Sequence, residues 1–376
     1  MSLYNVSIIT VCKNSEATIR RTIESVLNQT YKNIEYIIID GGSTDRTTEI
    51  IKEYQDMFEK RLWYISEKDH GIYDAMNKGI LRAAGDVIGI INSDDWYEPD
   101  AVERIVAAYE RHTNANAICA QANIVSGNLI TDKTKNKFEE EIWKGMPLPH
   151  PGVFVLRETY SRFGLYDTGY RIAADYDFIL RLYIDNARFE ILDDALVNFQ
   201  MGGVSTTELV TTAVETWNVV NKYLRYCPMP LEIEALHRKY ILISGFKEML
   251  SRSEGIILSN LLQCFDHDNR KFSIFGSGYW GKQIHKYLKD HHMSVECFLD
   301  NDRTKWGDTV LGAKVYSPNW IFENEETNCI LAIMEPDQKV IDQLKEYSKD
   351  KRFQWVTVSE IMHRVVPLVY PAYFIE

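Results

Sequence analysis

Two adjacent carboxylates, Asp94 and Asp95, stand where an apolar run stops. The run, 87–91, is dense enough in β-branched residues to be a buried strand. Asn92, Ser93 and the acid pair follow it directly, then Trp96, Tyr97 and Pro99. Acids at the end of such a strand put negative charge at the carboxyl edge of a sheet, where open α/β folds take their ligands. Like charges this close repel unless a cation or a donor-rich ligand lies between them. A helix N-cap, with Pro99 opening a helix over 100–111, accounts for the same residues without any ligand.

The preceding residues supply the elements that would position this charge. A strand is expected over 6–12, then a helix over 16–29 capped by Asn14-Ser15, with Ile19, Ile23, Val26 and Leu27 forming its apolar stripe. A second strand over 34–39 ends in Asp40-Gly41-Gly42-Ser43-Thr44-Asp45 and leads into a helix over 46–59. A third strand over 62–65 is followed by a polar loop, 66–73, and a helix over 74–84. Strand and helix alternating in this way form a doubly wound, mostly parallel sheet. Three strand ends then carry polar groups: 10–14, 40–45 and 92–95. No glycine-rich phosphate loop follows the first strand, so this half is neither a P-loop nor a dinucleotide fold. A nucleotide held by carboxylates needs a metal for its phosphates.

Further on, strands are expected over 117–125, 153–156 and 189–198. His150 sits before Pro151-Gly152 at a strand entry, and Asp175 and Asp177 open a helix that also carries Arg181. Acids there are favoured by the helix dipole alone. Residues 207–268 have helical periodicity broken at Pro228 and Pro230, and they offer no chemistry. At Lys271 the pattern restarts: a strand over 271–275, then Gly276, Gly278 and Gly281, a helix over 282–290, and a strand over 295–299 ending at Asp300. Two more strands are expected over 329–334 and 354–358. Three parts result: 1–206, a helical connector 207–268, and a small α/β domain 269–376.

A net charge of −12 over 376 residues argues against nucleic acid as a partner. The six cysteines form no CxxC pair and mostly lie in strand-like runs, which reads as buried thiols in a reducing, cytoplasmic setting. No run of 18 apolar residues is present.

With these elements in place, ITVCKN, IIIDGGSTDRT, EKDHGIYDAMNKG, IINSDDWYEPD and AADYDFILRL, in that order, resemble the family-2 glycosyltransferases with a GT-A-type fold. The resemblance is to bacterial members that build capsule, O-antigen and other surface polysaccharides, and it covers roughly residues 4–206. It implies an inverting, metal-dependent transfer from a nucleotide sugar, UDP-linked, to a glycan or lipid-linked acceptor. Thr10, Cys12, Asn14, Asp40, Asp69, Asn77, Lys78 and Asp94 match positions around the nucleotide. Asp40 would accept from a ring N–H of the base, and Lys78 could equally be a solvated lysine. Asn92 replaces the first acid of the family's DxD segment, which leaves the metal, Mn²⁺ or Mg²⁺, to Asp95 first and Asp94 second.

Asp175 matches the general base, with Ala174 where Glu is common. His150, Asp177 and Arg181 fall near the acceptor or diphosphate, and Gly202-Gly203-Val204-Ser205 resembles the family's late active-site loop. The absence of Gln-x-x-Arg-Trp and of membrane helices argues for one sugar per encounter. The resemblance also allows a homodimer and peripheral contact with the inner face of a membrane. Nucleotidyl transfer to a sugar phosphate, or a non-catalytic sugar-nucleotide scaffold, are the competing readings.

The C-terminal domain looks like the small Rossmann-like domains attached to sugar-modifying enzymes. Gly276, Gly278, Gly281 and Asp300 fit the dinucleotide fingerprint. A nucleotide site, a packing or dimer module, and an NAD site all remain open, with NAD the least favoured because the domain is half the usual size.

Overall fold

A computed structural model describes residues 4–265, 271–323, 327–334, 336–349 and 353–371. They fall into two compact units, Met1–His237 and Arg238–Glu376. The expected domain start at 269 lies outside the described residues.

The first unit begins β1 (Val6–Cys12), α1 (Ile19–Leu27), β2 (Ile34–Asp40), α2 (Thr47–Tyr54), β3 (Leu62–Ser66), α3 (Ile72–Arg82) and β4 (Val87–Asn92). It continues with β5 (Trp96–Tyr97), α4 (Ala101–Arg111), β6 (Ala117–Ser126), β7 (Leu129–Lys133), α5 (Phe138–Glu141), β8 (Val153–Leu156) and α6 (Arg157–Phe163). Then come α7 (Ala174–Ile184), β9 (Phe189–Gln200), α8 (Val204–Thr207) and α9 (Leu209–Tyr223). The next helix, α10 (Pro230–Ser251), contains the unit boundary.

One nine-stranded sheet runs β3-β2-β1-β4-β8-β6-β9-β5, with β7 on β6. β1 to β4 are mutually parallel where they pair, and β8 enters antiparallel. Strand order reverses between β1 and β4, the point at which such sheets open a crevice. The doubly wound, mostly parallel fold is as expected. Alternation of side chains along β1 explains it: Ile9 and Val11 pack under Tyr73, Met76 and Ile80 of α3, while Val6 and Ile8 pack under Ile19 and Ile23 of α1. Each such side chain contributes about 1.5–3 kcal/mol by leaving water. Gly79 lets α3 sit close, since a Cβ there would fall 2.5 Å from Ile9 Cγ2.

Two local expectations change. α1 starts at Ile19 rather than 16, and Asn14 does not cap it: Asn14 adopts φ +50° and its carboxamide serves another loop. α3 starts at Ile72, two residues early, on Gly71 at φ +116°.

The second unit continues with α11 (Gly255–Leu262), β10 (Lys271–Phe275), α12 (Tyr279–Asp290), β11 (Ser294–Leu299), β12 (Thr309–Val310) and β13 (Ala313–Tyr316). It closes with α13 (Trp320–Glu323), β14 (Thr327–Leu331), α14 (Gln338–Tyr347), β15 (Phe353–Thr357) and α15 (Val358–Val369). Its sheet order is β12-β13-β11-β10-β14-β15, parallel except for β12. This is the small Rossmann-like arrangement expected of the C-terminal part.

Candidate active site

Register lines up the polar strand ends. Cys12 lies opposite Asp40, Asp40 opposite Ser66, and Val11 opposite Asn92, so four strand ends form one row at the carboxyl edge.

Asp40 is wholly buried. Its carboxylate accepts from Ser43 N–H at 3.0 Å, from the Ser43 hydroxyl, from Ser66 Oγ at 2.6 Å, and from the Cys12 thiol at 3.6 Å. Burial, then the charge of Asp40, pushes that thiol up. Asn14 ties the first loop to the second: its N–H donates to Ser43 Oγ at 2.7 Å and its Oδ1 accepts from Thr44 N–H at 2.8 Å. A ring N–H reaching Asp40 would therefore have to displace a protein donor. The carboxylate with capacity left at this corner is Asp69. Its Oδ1 accepts from Gly71 N–H, and Oδ2 lies so close to Gly41 that a Cβ there would be 2.2 Å away. No described residue donates a hydrogen bond to Asp69 Oδ2.

Three residues expected around the nucleotide are placed elsewhere. Thr10 is buried beneath the edge, its hydroxyl 2.9 Å from Tyr36 Oη. Asn77 uses both ends of its carboxamide on the backbone of Tyr166, at 2.9 and 3.0 Å. Lys78 pairs with Glu67 at 2.8 Å and Asp74 at 3.3 Å, the solvated alternative.

The Asn92–Asp95 turn is held from below. Ser93 Oγ lies 2.8 Å from Ser15 Oγ, Arg21 Nη2 donates to Asp94 O at 2.9 Å, and Thr22 Oγ1 donates to Asp95 O at 2.7 Å. Arg21 also lies over the ring of Trp96, 3.4 Å from its centroid. The two acids differ. Asp95 is 1 % exposed; Oδ1 accepts from Gln200 N–H at 2.8 Å, while Oδ2 and the nearby Asn92 Oδ1 are buried without a partner in good geometry among the described residues. Burial and then the charge of Asp94 push Asp95 well up. Asp94 is raised by burial too, yet keeps a partly exposed side chain. No cluster of three His, Cys, Asp or Glu side chains that could hold a metal occurs among the described residues. Mg²⁺-type ions are commonly held by one or two carboxylates plus substrate phosphates, so orphaned acceptors beside one accessible carboxylate fit such an ion.

Asp175 is the second residue of α7. Its Oδ1 accepts from Tyr73 Oη at 2.9 Å and from Tyr176 N–H at 2.9 Å, and no described residue donates to Oδ2. The amides that lead into α7 are held by another carboxylate. Glu215, from α9, accepts from Arg171, Ile172 and Ala173 N–H at 2.7–3.1 Å. Glu208 grips the Arg171 guanidinium at both tips, at 2.6 and 2.7 Å. His150 Nε2 lies 3.3 Å from Tyr166 Oη; burial pulls the imidazole down, against the pull of Asp175. Asp177 and Arg181, expected toward acceptor or diphosphate, are used internally. Asp177 is wholly buried and meets Arg181 Nε at 2.9 Å, Lys222 Nζ at 2.9 Å and Tyr223 Oη at 3.1 Å. Arg181 also donates to the carbonyls of Phe163 and Leu165. The late loop follows Gln200, with Gly202 at φ +116°.

In the second unit Gly281 is obligatory, since a Cβ would fall 1.9 Å from Gly276 O, and Gly276 needs its φ of +104°. Asp300 does not face outward as a ribose acceptor must. Its Oδ2 takes Ser277 N–H, Ser277 Oγ (2.5 Å) and Lys305 Nζ (3.0 Å), and its Oδ1 takes Asp302 N–H. Burial opposes the shift, but the Ser277 hydroxyl, Asp302 N–H and Lys305 hold its carboxyl below the usual range.

Arg21, Gln200, Tyr73, Glu208 and Glu215 complete the first site; Gln200 ends β9, two residues beyond the strand expected to 198, and the other four carry no strand-end or motif-acid signal. Only Tyr73 lies inside a motif quoted above.

The glycosyl transferase family 2 model matches residues 7–166. A PGL/p-HBAD biosynthesis glycosyltransferase of Mycobacterium bovis is 27% identical over 256 residues, 66% of this chain and 93% of the relative. An uncharacterized glycosyltransferase of Mycobacterium tuberculosis is 32% identical over 180 residues, 47% of this chain and 68% of the relative. Among solved structures, S. aureus TarS 1-349 in complex with UDP-GlcNAc has a TM-score of 0.51 at 16% identity, over 69% of this chain and 77% of that one. Mannosyltransferase PcManGT from Pyrobaculum calidifontis, in complex with GDP-Man and Mn²⁺, has a TM-score of 0.51 at 17% identity, over 66% and 75%. These structures share the fold of the first unit's sheet.

Proposed function

The chain belongs to glycosyl transferase family 2 and is a glycosyltransferase, and from that premise we propose an inverting, metal-dependent, non-processive enzyme. It moves one sugar from a UDP-linked donor to a hydroxyl of a glycan or lipid-linked acceptor, in surface polysaccharide synthesis of the capsule or O-antigen kind. The observation that carries this reading is two carboxylates with capacity left over: Asp94, partly exposed just past β4, and Asp175, whose Oδ2 has no donor among the described residues, in the first turn of α7. The TarS neighbour with UDP-GlcNAc supports a UDP-linked donor, and the PcManGT neighbour with Mn²⁺ supports a divalent cation.

Cys12, Asn14, Asp40 and Asp69 form the corner suited to the base, with Asp69 Oδ2 as its acceptor and Asp40 as the internal brace. Asp94 is the better placed of the two acids to hold the cation, with Asn92 Oδ1 beside it and Asp95 behind. A divalent cation, when bound, neutralises charge on the departing diphosphate. Asp175 Oδ2 takes the proton of the acceptor hydroxyl as that oxygen bonds to the anomeric carbon. The bond from that carbon to the diphosphate oxygen breaks with its electron pair going to the diphosphate. One displacement with one base inverts the centre.

Release of the nucleoside diphosphate from a panel of UDP-sugars, with GDP-mannose included, tests this with Mn²⁺ and again with chelator. Release that survives chelation removes the cation from the scheme. Retention of stereochemistry in the product removes the single displacement.

A further inference from the structure

The motif residue that the scheme above leaves unused is Tyr73. It is the second residue of α3, buried, with its ring centroid 5.6 Å from that of Tyr166. Its hydroxyl has one proton and two acceptors, Ile172 O and Asp175 Oδ1 at 2.9 Å. We propose that Tyr73 is a positioning residue for the base: it fixes Oδ1 of Asp175 and so assigns proton transfer to Oδ2. This rests on the reading of Asp175 as the base.

A buried tyrosine hydroxyl beside a carboxylate serves the anion, because a donated hydrogen bond favours the charged form. Here burial and then Asp175 push the Tyr73 phenol up, so it stays a donor throughout. With Asp175 an anion, the proton of Tyr73 faces Oδ1. Once Oδ2 has taken the acceptor's proton, the same hydroxyl proton serves Ile172 O, and no heavy atom need move. Tyr73 thereby ties α3, which follows the Asp69 loop, to the first turn of α7. The other titratable groups that act on Asp175 are Tyr166, from the segment before α7, and His150, from the turn before β8. Both rings sit at the phenol and imidazole ends of one 3.3 Å contact, and neither has a hydrogen bond to Asp175 among the described residues. Of these side chains Tyr73 alone hydrogen-bonds Asp175 among the described residues, and the Tyr176 N–H is the other donor to Oδ1.

The test is Tyr73→Phe in the full chain, which keeps the ring and removes the donor. The assay is Mn²⁺-supported hydrolysis of the nucleotide sugar that the wild-type chain hydrolyses fastest, alongside a crystal structure of the variant. The expected result is a kcat lower by roughly 10-fold with donor KM unchanged. In the crystal the Asp175 carboxylate leaves its present rotamer. An unchanged kcat overturns the proposal, and so does an unmoved carboxylate in the variant crystal, which needs no substrate. Asp175→Asn separates the two levels. If it stays fully active, the base assignment has failed; if it is dead while Tyr73→Phe keeps the wild-type kcat, only the role of Tyr73 has failed.

Discussion

Asp40 and Asp300 occupy similar places in two different sheets, one the last residue of β2 and the other the first residue past β11, each beside a glycine-bearing loop. Each is buried and bonded by a serine N–H and hydroxyl. By motif alone the two look equally functional. What differs is what stands around them. In the first unit Asp69, Asp94, Asp95 and Asp175 each keep an oxygen that is short of a donor among the described residues or partly exposed. Beside Asp300, Lys305 supplies the countercharge and every carboxylate oxygen is taken. A strand-end acid marks the edge of a sheet; surplus acceptor capacity marks a site, because unmatched buried charge is costly and persists only where a ligand relieves it.

Breaking the first region should therefore abolish chemistry, and breaking the second should not. Asp175→Asn is expected to lower transfer by about 10²–10⁴-fold, the usual worth of a positioned base. Nucleotide affinity, measured by titration calorimetry with UDP, should stay the same. Asp94→Ala comes next: a loss of roughly 10²-fold, together with loss of the rise in Tm that Mn²⁺ and UDP give the wild-type chain. An Mn²⁺ shift that survives Asp94→Ala would return the cation to Asp95. Glu215→Ala should cost less, about 10-fold in kcat, since it frees the three amides before α7 without touching donor contacts; leaving those donors unpaired adds about 1 kcal/mol of destabilisation. Equal falls in donor affinity and kcat would show that α9 shapes the donor side instead.

The sequence shows the doubly wound order, the strand ends and the acid positions clearly, because period-2 burial along β1 and the β-branched runs leave little choice. What it does not show is which partners a polar group finds across the sheet. Asn77 and Lys78 sit in the right motif, yet their side chains go to Tyr166 backbone and to Glu67, contacts set by packing of α3. Asp177 has the motif position but turns inward, because Arg181 one turn later and Lys222 on α9 neutralise it there. Glu208 and Glu215 lie in a stretch whose periodicity reads as plain helix. Nothing local marks either as an anchor for residues about forty positions earlier. Asp94 and Asp95 are neighbours in sequence, and only the fold decides that Asp95 faces in and Asp94 keeps access.

The smallest effects sharpen the comparison most, because the two regions predict opposite signs. The carboxyl of Asp300 is held below the ordinary range, so its contribution to stability is present above the unfolded value near pH ~3.9 and is lost as pH falls through the folded one. Asp300→Asn should then lower the stability of the second unit by on the order of 1–2 kcal/mol at pH 7 and matter little in acid. The carboxyl of Asp95 is held well above the ordinary range, so its ionised form costs stability at neutral pH, and the cost is relieved as pH falls. Asp95→Asn in metal-free protein should raise Tm by about 2–4 °C at pH 7, the shift expected of a gain near 1 kcal/mol in a domain of this size. As pH falls from 8 toward about 4, Asp95→Asn converges on wild type from above, while Asp300→Asn stays beneath it and converges only at more acid pH. Melting curves for the two variants and wild type, from neutral pH down past the unfolded carboxylate value near ~3.9, decide it. If Asp95→Asn melts below wild type at pH 7, its buried oxygen has a partner, and the surplus that separates the two regions rests on Asp94 and Asp175 alone.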